Sequence, residues 1–175
     1  MKVVVAMDSF KGSLSSVQAG WAVQAGILAA DQTAQVIVKP LADGGEGLLT
    51  ALAEGLQGNI HRVAVTGPLY TSVQAEYAIL PNGTAVIEMA QAAGLPLVTP
   101  ERRDPRYTTT YGVGELIRYA IAQGVRDFII GLGGSATNDG GLGLLAALGY
   151  EFLDDTGRSV ALQGSGLAQL VRIEQ

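Results

Sequence analysis

Three short segments of the chain combine glycine with polar side chains, and each follows an apolar run. We name them the first loop (residues 8–13), the acidic loop (42–47) and the glycine loop (131–141, reading Gly-Leu-Gly-Gly-Ser-Ala-Thr-Asn-Asp-Gly-Gly). Glycine has no Cβ and tolerates positive φ, so such loops expose backbone N–H groups to an anion. We therefore expect the loops to meet at one end of a sheet and to enclose a phosphorylated or carboxylated ligand.

The apolar runs between these loops alternate between strand and helix patterns. They predict strands at residues 2–7, 35–38 and 60–65 and helices at residues 16–30 and 48–56. This βαβαβ order indicates a parallel, right-handed, doubly wound unit. In the first helix, Val17, Trp21, Ala25 and Leu28 recur at helical spacing and are predicted to form its buried face.

After Gly67 the spacing of apolar residues changes from a helical period to strict alternation, with an apolar residue at every second position. Val73, Ala75, Tyr77 and Ile79 alternate before a Pro-Asn-Gly turn, which predicts a β-hairpin. The change suggests domains at 1–67 and 68–175. Helix and strand patterns then return, whereas residues 162–175 show a weak helical pattern and no closing strand. The predicted fold class is α/β: parallel, doubly wound Rossmann-like or flavodoxin-like sheets in two domains, with a β-hairpin insertion, incomplete at the C-terminus.

Composition excludes several classes of function. With 11 basic against 16 acidic residues the net charge is −5, so the basic surface needed for nucleic-acid binding is missing. The absence of cysteine excludes disulfides and thiolate ligands. No apolar stretch is long enough for a membrane span or a signal peptide, which predicts a cytoplasmic protein with no membrane partner. The single histidine, His61, lies in a predicted strand and is expected to be structural.

The first loop lies at the carboxyl end of the first predicted strand, where open α/β sheets bind ligands. Lys11 can neutralise a phosphate or carboxylate, while Ser9, Ser13 and the amide of Gly12 can donate hydrogen bonds. Alternatively, Asp8 and the serines only cap the following helix.

The acidic loop holds the carboxylates of Asp43 and Glu46 beside the amides of Gly44 and Gly45. They could hold Mg²⁺ against phosphates, or one could accept a hydroxyl proton. The same spacing also fits a capping box, with Asp43 as the N-cap and Glu46 three residues later.

The glycine loop contains neither a P-loop motif nor a kinase-type glycine-rich hairpin. Gly133, Gly134, Ser135 and Asn138 are candidate phosphate contacts, and Asp139 is a candidate metal ligand.

Other polar segments carry weaker signals. The pattern Gly131-x-Gly133-x-x-Ala136, with Asp154 or Asp155 further on, weakly matches a dinucleotide-binding fingerprint. Arg106 could bind a substrate carboxylate, although it also fits an exposed charged loop. Glu88 ends an apolar strand, where a buried polar role is conceivable.

Taken in order, these motifs resemble the bacterial-type (class I) glycerate kinases. The resemblance rests on Asp8-Ser9-Phe10-Lys11-Gly12-Ser13-Leu14-Ser15, Pro40-Leu41-Ala42-Asp43-Gly44-Gly45-Glu46-Gly47, Ile87-Glu88-Met89-Ala90, Thr109-Thr110-Tyr111-Gly112-Val113-Gly114-Glu115-Leu116-Ile117 and the glycine loop. Leu48 departs from the family, which usually has threonine there. Family members are also much longer, and the resemblance implies two α/β domains, the first completed by later segments of the chain.

The resemblance implies transfer of a phosphoryl group from ATP to D-glycerate, with Mg²⁺, and favours 2-phosphoglycerate as product. It implies catalytic roles for Asp8, Lys11 and Asp43, and a metal contact at Asp43 or Asp139. The expected partners are glycerate and ATP, with a homo-oligomer as an option. Two alternatives stay open: an oxidoreductase that binds a nicotinamide dinucleotide, and a fragment that binds anions without turnover.

Overall fold

The computed structural model of the chain describes residues 1–10 and 13–175. Its strands are β1 (Lys2–Val5), β2 (Gln35–Val38), β3 (Asn59–Thr66), β4 (Ser72–Ile79), β5 (Thr84–Glu88), β6 (Asp127–Gly131), β7 (Glu151–Leu153) and β8 (Arg172–Glu174). Its α-helices are α1 (Ser16–Ala30), α2 (Leu48–Leu56), α3 (Ala90–Ala93), α4 (Tyr111–Ala122) and α5 (Leu142–Ala147). The mixture of parallel and antiparallel strands with helices confirms the α/β class.

Strands β1 and β2 form a parallel pair, and α1 connects them. A capping box between Ser15 and Gln18 starts α1 at the predicted residue. The predicted buried face is confirmed at Val17 but wrong at Trp21, which is 59% exposed, whereas Ala19 and Gly20 are buried. A Cβ on Gly20 would lie 2.4 Å from Cγ1 of Val38. Close approach to β2 therefore selects small residues, and the large ones face outward.

The four-stranded sheet has the order β3-β4-β5-β6. The predicted hairpin is confirmed, since β4 pairs antiparallel with β5, and β5 pairs parallel with β6. The predicted parallel unit of three strands is wrong, because β3 pairs antiparallel with β4 over its whole length. A tight turn between β3 and β4, closed by hydrogen bonds between Gly67 and Thr71 and between Tyr70 and Gly67, makes this local pairing available.

Each face of this sheet is covered by helices. Residues that alternate along β4 and β5, such as Ala75, Tyr77 and Ile87, pack with α3 and α4. Ala78 and Val86 point the other way and pack with α2. By the same alternation, Glu88 lies on the α2 side of the sheet. Tyr77 is fully buried and stacks on His61, which fits the structural role predicted for that histidine.

The last segment packs α5 against β7 around Leu142, Phe152 and Val160. The prediction that the tail has no closing strand is wrong, because β8 pairs antiparallel with β7. The division into domains 1–67 and 68–175 stays a prediction; by its hydrogen bonds, β3 belongs to the sheet that follows it. Among the described residues, none of the helices has the length and apolar character needed to cross a membrane.

Candidate functional site

The acidic loop and the glycine loop touch through their backbones. The amide of Gly133 donates to the carbonyl of Gly44 at 2.9 Å. A Cβ on Gly133 would lie 2.5 Å from Cα of Gly45, and one on Gly131 would lie 2.5 Å from the carbonyl oxygen of Gly44. Because contacts this short exclude a side chain, glycine is required for the two loops to meet.

The glycine loop is also bound to the segment that follows β5. Main-chain bonds run from Met89 to Gly131, from Leu95 to Gly134 and from Ala136 to Ala93, at 2.8–3.0 Å. The loop therefore lies at the carboxyl ends of the parallel strands β5 and β6, the edge at which α/β sheets bind ligands.

The first loop reaches the same place. Ser9, Ser13 and Glu46 line one cavity of about 250 Å³. A Cβ on Gly47 would lie 3.8 Å from the hydroxyl oxygen of Ser16, at the start of α1. The acidic loop thus contacts the glycine loop and shares a cavity with the described part of the first loop, so the described parts of the three loops lie close together. The predicted site residues Lys11 and Gly12 lie outside the described residues.

In the first loop and the acidic loop, an aspartate carboxylate accepts a hydrogen bond from a backbone amide one or two residues further along the chain. Asp8 accepts a hydrogen bond of 2.6 Å from the amide of Ser9, and Asp43 accepts one of 3.1 Å from the amide of Gly45. The predicted capping of α1 falls to Ser15 rather than to Asp8.

The capping box predicted for Asp43 and Glu46 is wrong. Helix α2 begins directly after Gly47, which has a φ of 92° and, as a glycine, no side chain that could cap the helix. The buried carboxylate of Glu88, on β5, caps the helix instead. It accepts hydrogen bonds from the amides of Gly47 and Leu49 at 3.2 and 3.4 Å. Sequence reasoning gave Glu88 no definite role; the available signal was an acid that ends an otherwise apolar strand.

Burial raises the pKa of Glu88, the bonds to α2 oppose that rise, and the neighbouring carboxylate of Glu46 adds to it. The folded state therefore holds the proton more tightly than the unfolded chain, whose value is near 4.5. Stability should be lost as pH rises from that value through the raised pKa. We expect the unfolding free energy of wild type, relative to Glu88→Gln, to fall over this range. Urea titrations at a series of pH values measure it, and a flat or rising difference contradicts the assignment.

Asp139 is 1% exposed, and both oxygens of its carboxylate accept hydrogen bonds. It accepts from the amide and hydroxyl of Thr110 at 2.9 and 2.8 Å, and from the amides of Gly141 and Gly143 at 3.0 and 3.2 Å. Three of these donors bond Oδ2 and one bonds Oδ1, so both oxygens of the carboxylate are held within the fold. The geometry gives Asp139 a structural role, in which it joins the starts of α4 and α5, and its metal contact stays a prediction.

The remaining predicted contacts lie along the glycine loop. Ser135 shares a 2.8 Å hydrogen bond with the hydroxyl of Thr137, and Asn138 is exposed. Arg106 forms an exposed ion pair with Asp104, whose carboxylate occupies the fork that was expected to bind a substrate.

Two observations bear on cofactors. Mg²⁺ is usually held by one or two carboxylates together with phosphate oxygens, so exposed Asp43 suits it better than Asp139 does. Within residues 1–10 and 13–175, no cluster of three or more histidine or acidic side chains could hold a metal alone.

The dinucleotide fingerprint is not supported, because α5 starts only at Leu142 and Asp154 bonds to Thr156 and Arg158 in a turn.

Comparison with known proteins gives consistent matches. The model of the glycerate kinase family matches residues 3–175. A glycerate kinase of Haemophilus influenzae and a glycerate 2-kinase of Escherichia coli are each 45% identical to this chain, covering 99% of it and 46% of the relative. The crystal structure of a protein assigned as glycerate kinase 2 from Salmonella typhimurium LT2 has a TM-score of 0.85 and 47% identity, covering 99% of this chain and 47% of that one. The chain spans about half the length of the curated relatives that it matches.

Proposed function

The chain belongs to the glycerate kinase family, and from that premise we propose that it takes part in ATP-dependent phosphorylation of D-glycerate to 2-phosphoglycerate. The observation that carries the proposal is the contact between the acidic loop and the glycine loop, with Gly133 bonded to Gly44. This contact gathers backbone amides at the carboxyl ends of β5 and β6, where a polyphosphate can be bound. The Escherichia coli relative is named a glycerate 2-kinase, which supports phosphorylation at the 2-hydroxyl group.

In the proposed reaction, a hydroxyl oxygen of glycerate attacks the γ-phosphorus of ATP as the bond to the bridging oxygen breaks. ADP leaves, and the hydroxyl proton passes to a carboxylate, for which Asp8 and Asp43 are the candidates. Such reactions depend mainly on positioning and on neutralising charge. We propose that Lys11 and the amides of Gly12, Gly44 and Gly134, with the hydroxyls of Ser9, Ser13 and Ser135, hold the anionic groups. The amides of Gly45 and Gly133 donate to Asp43 and to Gly44, so we propose that these two glycines shape the site by allowing the loops to meet.

Asp43 is the residue that we propose to hold Mg²⁺, which would neutralise phosphate charge when bound. Glu46 lies beside it and borders the cavity shared with Ser9 and Ser13. Asn138 and Arg106 stay predicted contacts. Cytoplasmic location and a homo-oligomeric state also stay predictions.

The direct experiment measures ADP release by the purified chain with D-glycerate and Mg-ATP. Phosphorus NMR of the product distinguishes 2-phosphoglycerate from 3-phosphoglycerate. Glycerate-dependent ADP release supports the proposal. Binding of ATP without turnover favours the fragment alternative instead, and tighter binding of NADH than of ATP in a fluorescence titration favours the oxidoreductase.

We expect Lys11→Ala to reduce turnover at least about tenfold, because loss of one cationic contact to a phosphate removes charge stabilisation from the transition state. Steady-state rates measure the effect. Lys39→Ala is a suitable control, since that exposed lysine lies outside the three loops. Near-normal turnover of Lys11→Ala would remove Lys11 from the site.

A further inference from the structure

A second cavity adjoins the first and shares Glu46 with it. Its volume is about 260 Å³, and it is lined by Gln74 on β4, Glu88 on β5, Gln91 on α3 and Gly134 of the glycine loop. Pockets for drug-sized ligands usually measure roughly 300–1,000 Å³, so this cavity suits a ligand with few heavy atoms. It lies on the α2 side of the sheet, beside the acidic loop.

The lining of this cavity has an unusual balance of polar groups. It contains two carboxylates, Glu46 and Glu88, and two carboxamides, Gln74 and Gln91, while no lysine, arginine or histidine of the described chain lines it. A carboxylate accepts hydrogen bonds only, and it repels a phosphate or another carboxylate. The groups that match such a lining are hydrogen-bond donors without negative charge, and hydroxyl groups are the donors that the acceptor of the proposed reaction carries.

The two carboxamides are available to a ligand. Among the hydrogen bonds of the described residues, none uses the side chain of Gln74 or Gln91, and Gln91 is only half-buried. Glu88, in contrast, is fixed by its bonds to Gly47 and Leu49 and forms a rigid part of the wall. The cavity thus combines a fixed acidic wall with two adaptable carboxamides that can each donate and accept.

We propose that this cavity binds the hydroxyl-bearing end of a short hydroxy acid, with Gln74 and Gln91 contacting its hydroxyl groups. The inference rests on the proposed function, since it places the phosphate acceptor of that reaction. Glu46 then lies between the two ligands, because it borders both this cavity and the cavity beside Ser9 and Ser13. The acid group of the acceptor must point away from the two carboxylates.

The test compares Gln91→Leu with wild type. Leucine keeps a similar volume but cannot form a hydrogen bond, and the loss of one neutral hydrogen bond weakens binding by about three- to tenfold. We therefore expect KM for D-glycerate to rise by about that factor while KM for ATP stays within about twofold. Gln32→Leu is the matched control, because Gln32 is exposed in the turn after α1.

A binding measurement does not depend on turnover. In NMR titrations, the side-chain amide signals of Gln74 and Gln91 should shift with D-glycerate. Gln91→Leu should weaken glycerate binding but leave propionate, which lacks the hydroxyls, unaffected. Absence of glycerate binding, or equal weakening of glycerate and propionate, would overturn the inference. Glycerate binding that depends on Gln91 without ADP release contradicts only the proposed function, whereas turnover with an unchanged KM in Gln91→Leu contradicts only the inference.

Discussion

Gly133→Ala should reduce the proposed glycerate phosphorylation by on the order of 100-fold, because a misplacement of about 1 Å in a catalytic site can cost that much. The new Cβ would lie 2.5 Å from Cα of Gly45 and 2.8 Å from its amide nitrogen. Backbone atoms cannot move aside as the end of a side chain can, so the acidic loop and the glycine loop must separate. Separation would break the bond between Gly133 and Gly44 and disperse the amides proposed to bind phosphate.

Steady-state kinetics and an ATP-binding titration would measure the effect of Gly133→Ala. Gly26→Ala is the matched control, since a Cβ there meets nothing within 4 Å and the residue lies inside α1. Alanine favours a helix over glycine by about 1 kcal/mol, so this control should be neutral or slightly more stable. A Gly133→Ala protein with normal turnover and ATP affinity would show that the contact between the loops is not needed for catalysis.

The second large effect concerns stability. Asp139→Ala should lower the unfolding free energy by at least about 3 kcal/mol, because a buried polar group left without its partner costs roughly 1–3 kcal/mol and four donors lose theirs. The affected donors are the amide and hydroxyl of Thr110 and the amides of Gly141 and Gly143. The whole unfolding free energy of a native protein is only about 5–15 kcal/mol, so this loss would be a large fraction of it.

Urea denaturation of Asp139→Ala would measure this loss. Asp155→Ala is the control, because Asp155 is an exposed aspartate, and a surface change of this kind usually stays within about 0.5 kcal/mol. A loss below about 1 kcal/mol for Asp139→Ala would show that the carboxylate is not structural. Retained stability would then favour Asp139 as a metal ligand.

The sequence could predict the elements with strong local signals. The capping serine and the following apolar pattern place α1 at Ser16–Ala30, and the alternation around Pro81-Asn82-Gly83 gives the hairpin of β4 and β5. These signals act between neighbours along the chain, so they survive without tertiary information. The packed face of α1 was not predicted, because it depends on how closely the backbone of Gly20 approaches Val38.

The partner of β3 could not be predicted for a related reason. The residue pattern of a strand that follows a helix is the same in two cases: when the strand pairs with a parallel neighbour, and when it pairs with the strand that comes next in the chain. In this chain the turn closed at Gly67 and Thr71 brings β4 alongside, and local antiparallel pairing results. Strand β8 was missed because it has only three exposed residues, and the alternation of Val171 and Ile173 with polar residues is too short to indicate a strand.

By itself, the sequence determined that glycine-rich loops follow the strands and carry the polar groups of the site, since these are properties of residue type and order. Tertiary structure alone decided which carboxylates remain available for chemistry. The carboxylate of Asp139 accepts hydrogen bonds from four donors. The carboxylate of Glu88, which lies on β5, accepts hydrogen bonds from two amides at the start of α2. The physical reason is that a carboxylate takes its role from the donors around it, and here those donors come from residues up to 41 positions away along the chain.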